Sequence, residues 1–222
     1  MQISSRVTVL LASASLVLSS CQTTNPFTGE SQRSKALTGS VIGGLVGAGI
    51  GSLTGKGSTD RRQKAMVGAG IGILTGGGIG AYMDRQEAEL RRELEGTGVG
   101  VSRNGNQIAL VMPGDVTFAT GSASISGQFH PTLDSVAKVL NKYNQTLVDI
   151  TGHTDSVGQR DYNYRLSQSR ASSVAGFLQG RKVSPTRFRV TGQGPDAPVA
   201  TNDSAAGRQA NRRVTIQLAP LT

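Results

Sequence analysis

The chain has 222 residues and a mass of 23.0 kDa, with 23 Lys+Arg against 14 Asp+Glu for a formal net charge of +9. Its one cysteine excludes an internal disulfide framework or a cysteine-based zinc site, and its two histidines argue against a multi-histidine metal enzyme. The 30 glycines come with only 7 prolines and no three-residue period, which excludes a collagen-like chain.

Residues 1–20 read as a secretory signal peptide. Arg6 is the only charge before residue 30, and Val7 to Leu18 is an apolar, small-residue run of 12, too short to span a bilayer as a helix. Leu18-Ser19-Ser20-Cys21 then places the sole cysteine directly after small residues. This resembles the bacterial lipobox, which implies lipidation of Cys21 and a tether over residues 21–37. Each buried acyl CH₂ contributes roughly 0.8 kcal/mol, so two or three chains anchor stably where one does not. Gln22, rather than an aspartate, follows the cysteine, and the same resemblance then implies the outer membrane. Loss of Arg6 with the signal takes the formal charge from +9 to +8. The mature chain keeps no thiol free to pair, which suits an oxidising periplasm.

Residues 38–82 carry an internal repeat. Leu45–Gly55 is matched by Met66–Gly76, and glycines recur every fourth residue at Gly39, Gly43, Gly47, Gly51 and Gly55, then at Gly68, Gly72, Gly76 and Gly80. On a helix this spacing makes a smooth stripe that another backbone can approach closely. Thr38–Gly55 and Ala65–Tyr82 are both uncharged, and an 18-residue helix is roughly 27 Å long, close to a bilayer core. The segment from Lys56 to Lys64 reads as a charged turn between them, so the whole resembles a glycine-zipper hairpin with a capacity for self-association. Each arm holds seven glycines, which at about 1 kcal/mol each forbid an isolated helix in water. The segment therefore packs tightly, inserts in lipid or stays a flexible Gly-rich linker, and the period of four argues against the last.

Residues 83–98 read as a charged spacer helix ended by Gly96-Thr97-Gly98. It has i,i+4 pairs at Arg85/Glu89, Glu87/Arg91 and Arg91/Glu95, and a thin apolar stripe of Met83, Leu90 and Leu94. Residues 99–222 then form one compact domain with 13 Lys+Arg, 7 Asp and no Glu. Strands are expected at Gln107–Met112, Val116–Phe118, Leu147–Thr151, around Phe188–Gly192 and at Val214–Leu218, with helices at 132–143 and 162–179. This alternation predicts an α+β fold with a sheet covered by helices on one face.

Arg170 breaks the pattern. It lies four residues after Leu166 and four before Val174, on their helical face, so its guanidinium is drawn toward the core and needs an acceptor. The nearest carboxylate in sequence terms is Asp155, just past the strand that ends at Gly152-His153-Thr154. Either a salt bridge fastens loop to helix, or the two residues face a ligand.

The spacing of Gly152-His153-Thr154-Asp155-Ser156-x-Gly158, Asn163-x-x-Leu166-Ser167-x-x-Arg170-Ala171-x-x-Val174-x-x-x-Leu178 and Asn211-Arg212-Arg213-Val214 resembles the OmpA-like peptidoglycan-binding domain over about residues 102–220. With the lipobox and the glycine repeat, the whole chain resembles the YiaD-like outer-membrane lipoproteins. The resemblance implies a βαβαβ domain with a mixed sheet and a ligand, the diaminopimelate moiety of peptidoglycan. It places that ligand on Asp155 and Arg170, with Thr154, Asn163 and Arg212 as secondary residues. A carboxylate complements the ammonium of diaminopimelate, and a planar guanidinium grips its carboxylate through two hydrogen bonds. Arg212 shares strand parity with Val214 and Ile216 and so points toward the site, unless Asn211, Arg212 and Arg213 only order the sheet edge.

The implied function is non-enzymatic anchorage of the outer membrane, through acyl chains, to peptidoglycan, with the C-terminal domain in the periplasm. An alternative makes the glycine hairpin the working part, as an outer-membrane assembly or biogenesis factor moored by the wall. No nucleophile elbow supports catalysis, no cofactor is expected, and no interleaved aromatic set supports nucleic-acid binding despite a calculated pI of 10.3. Replacement Cys21→Ala is expected to abolish incorporation of radiolabelled palmitate; label retained in that variant contradicts lipidation at Cys21.

Overall fold

The computed structural model describes residues 56–222 apart from Gly77 and Thr120. The signal peptide, Cys21, the tether at 21–37 and the first glycine arm at 38–55 lie outside the described residues. Five strands form one mixed sheet: β1 Gly100–Asn104, β2 Gln107–Pro113, β3 Thr146–His153, β4 Phe188–Gly192 and β5 Arg213–Pro220, in the spatial order β1-β2-β5-β3-β4. The helices are α1 Lys56–Gly68, α2 Gly78–Glu93, α3 Gly114–Thr117, α4 His130–Lys142, α5 Arg160–Gly180 and α6 Ala205–Asn211.

β3 is the inner strand that organises the rest. It pairs antiparallel with β5 and parallel with β4, and all eight of its residues are buried. A parallel pair needs a crossover, and α5 supplies it between β3 and β4. Val148 and Ile150 join Leu110, Met112, Val214 and Ile216 in the main core. α4 covers them with Leu133, Val136 and Leu140, and α5 with Ala171, Val174 and Leu178. The α+β architecture with a mixed sheet is the one expected. β1, an edge strand of half-exposed residues, is an addition to it.

Several expectations need correction. Val116–Phe118 is not a strand: Gly114–Thr117 forms a helical turn, and Phe118 makes an isolated bridge to Ile125. The helix over 83–93 is not a solvated spacer, because Met83, Leu90 and Leu94 enter the main core. Its Glu89 accepts hydrogen bonds from Lys142 Nζ at 2.6 Å and from the Tyr143 hydroxyl at 3.1 Å, rather than serving Arg85, whose Nε bonds the Ala81 carbonyl. Of the expected pairs, Glu87–Arg91 forms at 2.7 Å.

The glycine-rich segment departs furthest. The stretch expected as a charged turn is helical in α1, and Ala65–Tyr82 is not one helix. α1 ends at Gly68, residues 69–76 are irregular with Gly70 and Gly76 at positive φ, and α2 starts at Gly78. The break follows from the helical cost of so many glycines, and tertiary bonds hold the irregular stretch: Leu74 N donates to Leu221 O, and Gln145 Nε2 to Gly72 O. α1 packs on the sheet face opposite α4 and α5, where Met66 meets Leu147 and Leu221. There Arg62 and Arg189 both pair with buried Asp149. Helices thus lie on both faces of the sheet, not on one.

Leu90 has no solvent exposure, so Leu90→Ala is expected to destabilise the protein by about 2–5 kcal/mol in urea denaturation. A loss within about 0.5 kcal/mol, the range of surface substitutions, would show that α2 does not belong to the core.

Candidate functional site

Strand register brings the site together. Pro113 of β2 pairs with Arg213 of β5, and Arg213 pairs with His153 of β3. One row of the sheet therefore holds the terminal residues of three strands, and the residues just beyond it, Asp115, Arg212 and Asp155, become neighbours although 97 positions separate the first two. Two glycines permit the close approaches this requires. A Cβ on Gly114 would lie 2.8 Å from the Arg212 carbonyl, to which Gly114 N donates at 2.7 Å. A Cβ on Gly152 would lie 2.0 Å from the Ser167 carbonyl, so α5 rests directly on the end of β3 and carries Arg170 to the same edge.

The Arg212 guanidinium spans two carboxylates. Its Nη1 donates to Asp155 Oδ2 at 2.8 Å, while Nε and Nη2 donate to Asp115 Oδ1 and Oδ2 at 3.1 and 3.0 Å. These bonds, those of Asp115 first, raise the Arg212 pKa still further. In return Arg212 holds the Asp115 carboxyl below its ordinary value. The other oxygen of Asp155 accepts from Val157 N at 3.1 Å, an Asx turn that shapes the loop. Asn163 Nδ2 ties the same loop down through the carbonyls of Val157 at 2.9 Å and Asp155 at 3.4 Å.

Arg170 does not pair with Asp155. Its Nε donates to the Ser122 carbonyl at 2.9 Å, and its guanidinium lies over the Phe118 ring, 5.1 Å from the centroid. It is only 6% exposed, and among the described residues no carboxylate comes within salt-bridge distance of it. Burial lowers its pKa, an effect opposed by the fields of Asp115, Tyr162 and Asp155 and reinforced by that of Arg212. The four formal charges of the cluster cancel, yet both acids are engaged with Arg212 while the Nη groups of Arg170 carry no hydrogen bond to a described residue.

Of the sequence candidates, Asp155, Asn163, Arg170 and Arg212 converge here. Thr154 lies next to Asp155, its N donating to Gly194 O and its buried hydroxyl without a partner among the described residues. The Arg212 side chain contacts Asp155 directly, whereas the side chains of its two neighbours order backbone. Asn211 bonds Val199 N, Ala200 N and Ala200 O, and Arg213 bonds the carbonyls of Ala197 and Asn211. Burial lowers the Arg213 pKa to about 10. Asp115 joins the site without a signal in the sequence, because an acid in a Pro-Gly-Asp turn carries no mark of a partner that distant. Among the described residues, no group of three or more His, Cys, Asp or Glu is placed to hold a metal ion, and no helix is long and apolar enough to cross a membrane.

The model of the OmpA family matches residues 117–212, and that of the YMGG-like Gly-zipper matches residues 1–84. The chain is 47% identical over 211 residues to the probable lipoprotein YiaD of Escherichia coli K12, covering 95% of each chain. It is 38% identical over 100 residues to outer membrane porin F of Pseudomonas fluorescens, covering 45% of this chain and 31% of that one. Its fold resembles the cell wall anchor of the T6SS from Pseudomonas aeruginosa, at 34% identity and TM-score 0.54 over 62% of this chain and 96% of that one. A MotB-like protein from Desulfovibrio vulgaris, 24% identical, shares the fold at TM-score 0.58 over 64% of this chain and 95% of the other. The chain belongs to the YiaD-like lipoproteins of the OmpA family.

His153 closes β3 under this edge, 4% exposed, with Arg213 as its cross-strand partner. Burial first, and then the Arg213 charge, push its pKa from 6.5 down to about 3. The unfolded chain therefore binds a proton that the native state refuses. The contribution is complete above the ordinary histidine pKa and is lost as pH falls toward 3, by at most about 1.4 kcal/mol per pH unit. Melting temperature between about pH 4 and pH 6 is expected to fall less steeply in His153→Gln than in the parent. Identical slopes would contradict a neutral buried His153.

Proposed function

We propose that this protein is a non-enzymatic tether that joins the outer membrane to peptidoglycan. Acyl chains on Cys21 hold it in the outer membrane, the C-terminal domain lies in the periplasm, and that domain grips the diaminopimelate moiety without a covalent bond. The observation that carries this reading is Arg170: a guanidinium 6% exposed, hydrogen-bonded through Nε alone, with no carboxylate on it among the described residues. A buried guanidinium with no anion in direct contact is desolvated at a cost that the fields of Asp115 and Asp155 only partly offset, so the site favours a ligand that brings an anion. Nη groups that carry no hydrogen bond to a described residue suit a carboxylate, which accepts two parallel hydrogen bonds from a guanidinium.

Asp155 supplies the opposite pole. Its carboxylate, with side-chain exposure of 12%, is held by the Val157 amide and the Asn163-braced loop, so it meets a ligand ammonium without first being ordered. An acid and a base at fixed positions select a group that carries both charges on one carbon, as the far end of diaminopimelate does. The likeness to a solved structure titled as a cell wall anchor, at 34% identity, supports the same assignment. A positive surface suits anionic wall polymers and lipid headgroups, which fits the +9 balance.

The test is co-sedimentation of the detergent-solubilised full chain with purified sacculi. Asp155→Ala and Arg170→Ala are each expected to weaken binding at least about tenfold while the proteins remain folded. A wall with lysine in place of diaminopimelate, which lacks the terminal carboxylate, is expected to bind as poorly as the Arg170 variant. Unchanged sedimentation of both folded variants would defeat the proposal.

A further inference from the structure

The carboxylate that would receive a ligand ammonium is already occupied. Asp155 Oδ2 holds Arg212 Nη1 at 2.8 Å, in a place suited to a cationic ligand group. Arg212 is nevertheless not committed to Asp155. Two of its three charged hydrogen bonds go to Asp115, in the parallel geometry that carboxylates and guanidinium groups prefer. Asp155 is the more enclosed acid, with side-chain exposure of 12% against 41% for Asp115 and 31% for Arg212 itself. Asp115 is moreover coupled to the backbone that carries Arg212: Gly114 N donates to the Arg212 carbonyl at 2.7 Å. When the Arg212 side chain leaves Asp155, Asp115 is still within its reach.

We propose that Arg212 is a built-in placeholder for the ligand ammonium, and that Asp115 is the acid onto which it withdraws when the ligand binds. The inference rests on the diaminopimelate reading and adds two specificity-determining residues to it. Asp115 lies outside residues 117–212, the span matched by the family model. A ligand with only a carboxylate meets Arg170 and leaves Arg212 in place. A ligand with only an amine has to displace Arg212 and receives nothing from Arg170. A zwitterion displaces one Arg212–Asp155 bond, replaces it with its own ammonium, and adds a carboxylate to the open Nη groups of Arg170. The exchange keeps every acid in the cluster paired, since Asp115 holds Arg212 in both states.

This predicts a reversal that a merely structural staple would not show. In Asp115→Asn, Arg212 keeps only Asp155 as a charged partner and competes harder with the ligand, so affinity for diaminopimelate-type sacculi is expected to fall about tenfold, the size of one charge-assisted hydrogen bond. In Asp115→Asn/Arg212→Gln nothing remains to be displaced, and affinity is expected to return to within about threefold of the parent. The measurement is sacculus co-sedimentation of the detergent-solubilised full chain, with thermal melts to establish that each variant is folded; Asp115→Ser replaces the Asn variant if that one melts early. Asp115→Asn binding like the parent, or a double variant no better than the single, overturns the placeholder while leaving the diaminopimelate reading intact. Failure of the parent chain itself to sediment overturns that reading and the placeholder with it.

Discussion

The charge balance at the end of β3 rests on one guanidinium shared between two carboxylates. Arg212 hydrogen-bonds both Asp155 and Asp115, and among the described residues neither acid lies within salt-bridge distance of Arg170, although their fields still act on it. That choice of partner leaves a cation at 6% exposure without a carboxylate contact among the described residues, beside a carboxylate already shaped by its loop. Had Arg170 closed on Asp155, the edge would be a finished salt bridge with nothing to offer a ligand. The internal pairing of the site is incomplete in one specific place, and the proposed zwitterionic ligand is the one that would complete it.

The fold supplies rigidity where that incompleteness has to be maintained. β3 is buried along its whole length, and α5 lies against its end closely enough that residue 152 tolerates no side chain. Arg187, almost wholly buried, fastens the opposite end of β3 to α4 through the carbonyls of Leu140, Tyr143 and Thr146. Two further helices brace the sheet. α2 adds Met83, Leu90 and Leu94 to the core, and α1 places Met66 and Arg62 on the opposite face. The segment that follows the first glycine arm is therefore part of the same packed unit as the ligand edge.

Periodicity made most of the sheet and both large helices legible. The alternation of Val214, Ile216 and Leu218, and the spacing of Leu133, Val136 and Leu140, state directly which side of each element is apolar. Arg170 was also visible, as a charge on an apolar helical face. What stayed hidden was pairing across long separations. Proximity in sequence put Asp155 with Arg170, whereas register put it with Arg212, 57 positions away, and joined Arg212 to Asp115 at 97. Sequence periodicity does not report strand register. The stripe of α2 looked too thin to bury, because its polar neighbours read as solvent-facing. Glu89 instead finds Lys142 and Tyr143 on and just past α4, and that partnership admits the helix to the core. The charged run before Lys64 read as a turn for a similar reason: Asp149, the partner of Arg62, is 87 residues away.

The most direct measurement is a crystal structure of the protein with meso-diaminopimelate bound. The account predicts the ligand ammonium within about 3 Å of the Asp155 carboxylate, the adjoining carboxylate across the two Nη groups of Arg170, and Arg212 on Asp115 alone. A ligand bound elsewhere, with Arg212 still on Asp155 and no anion on Arg170, would contradict it.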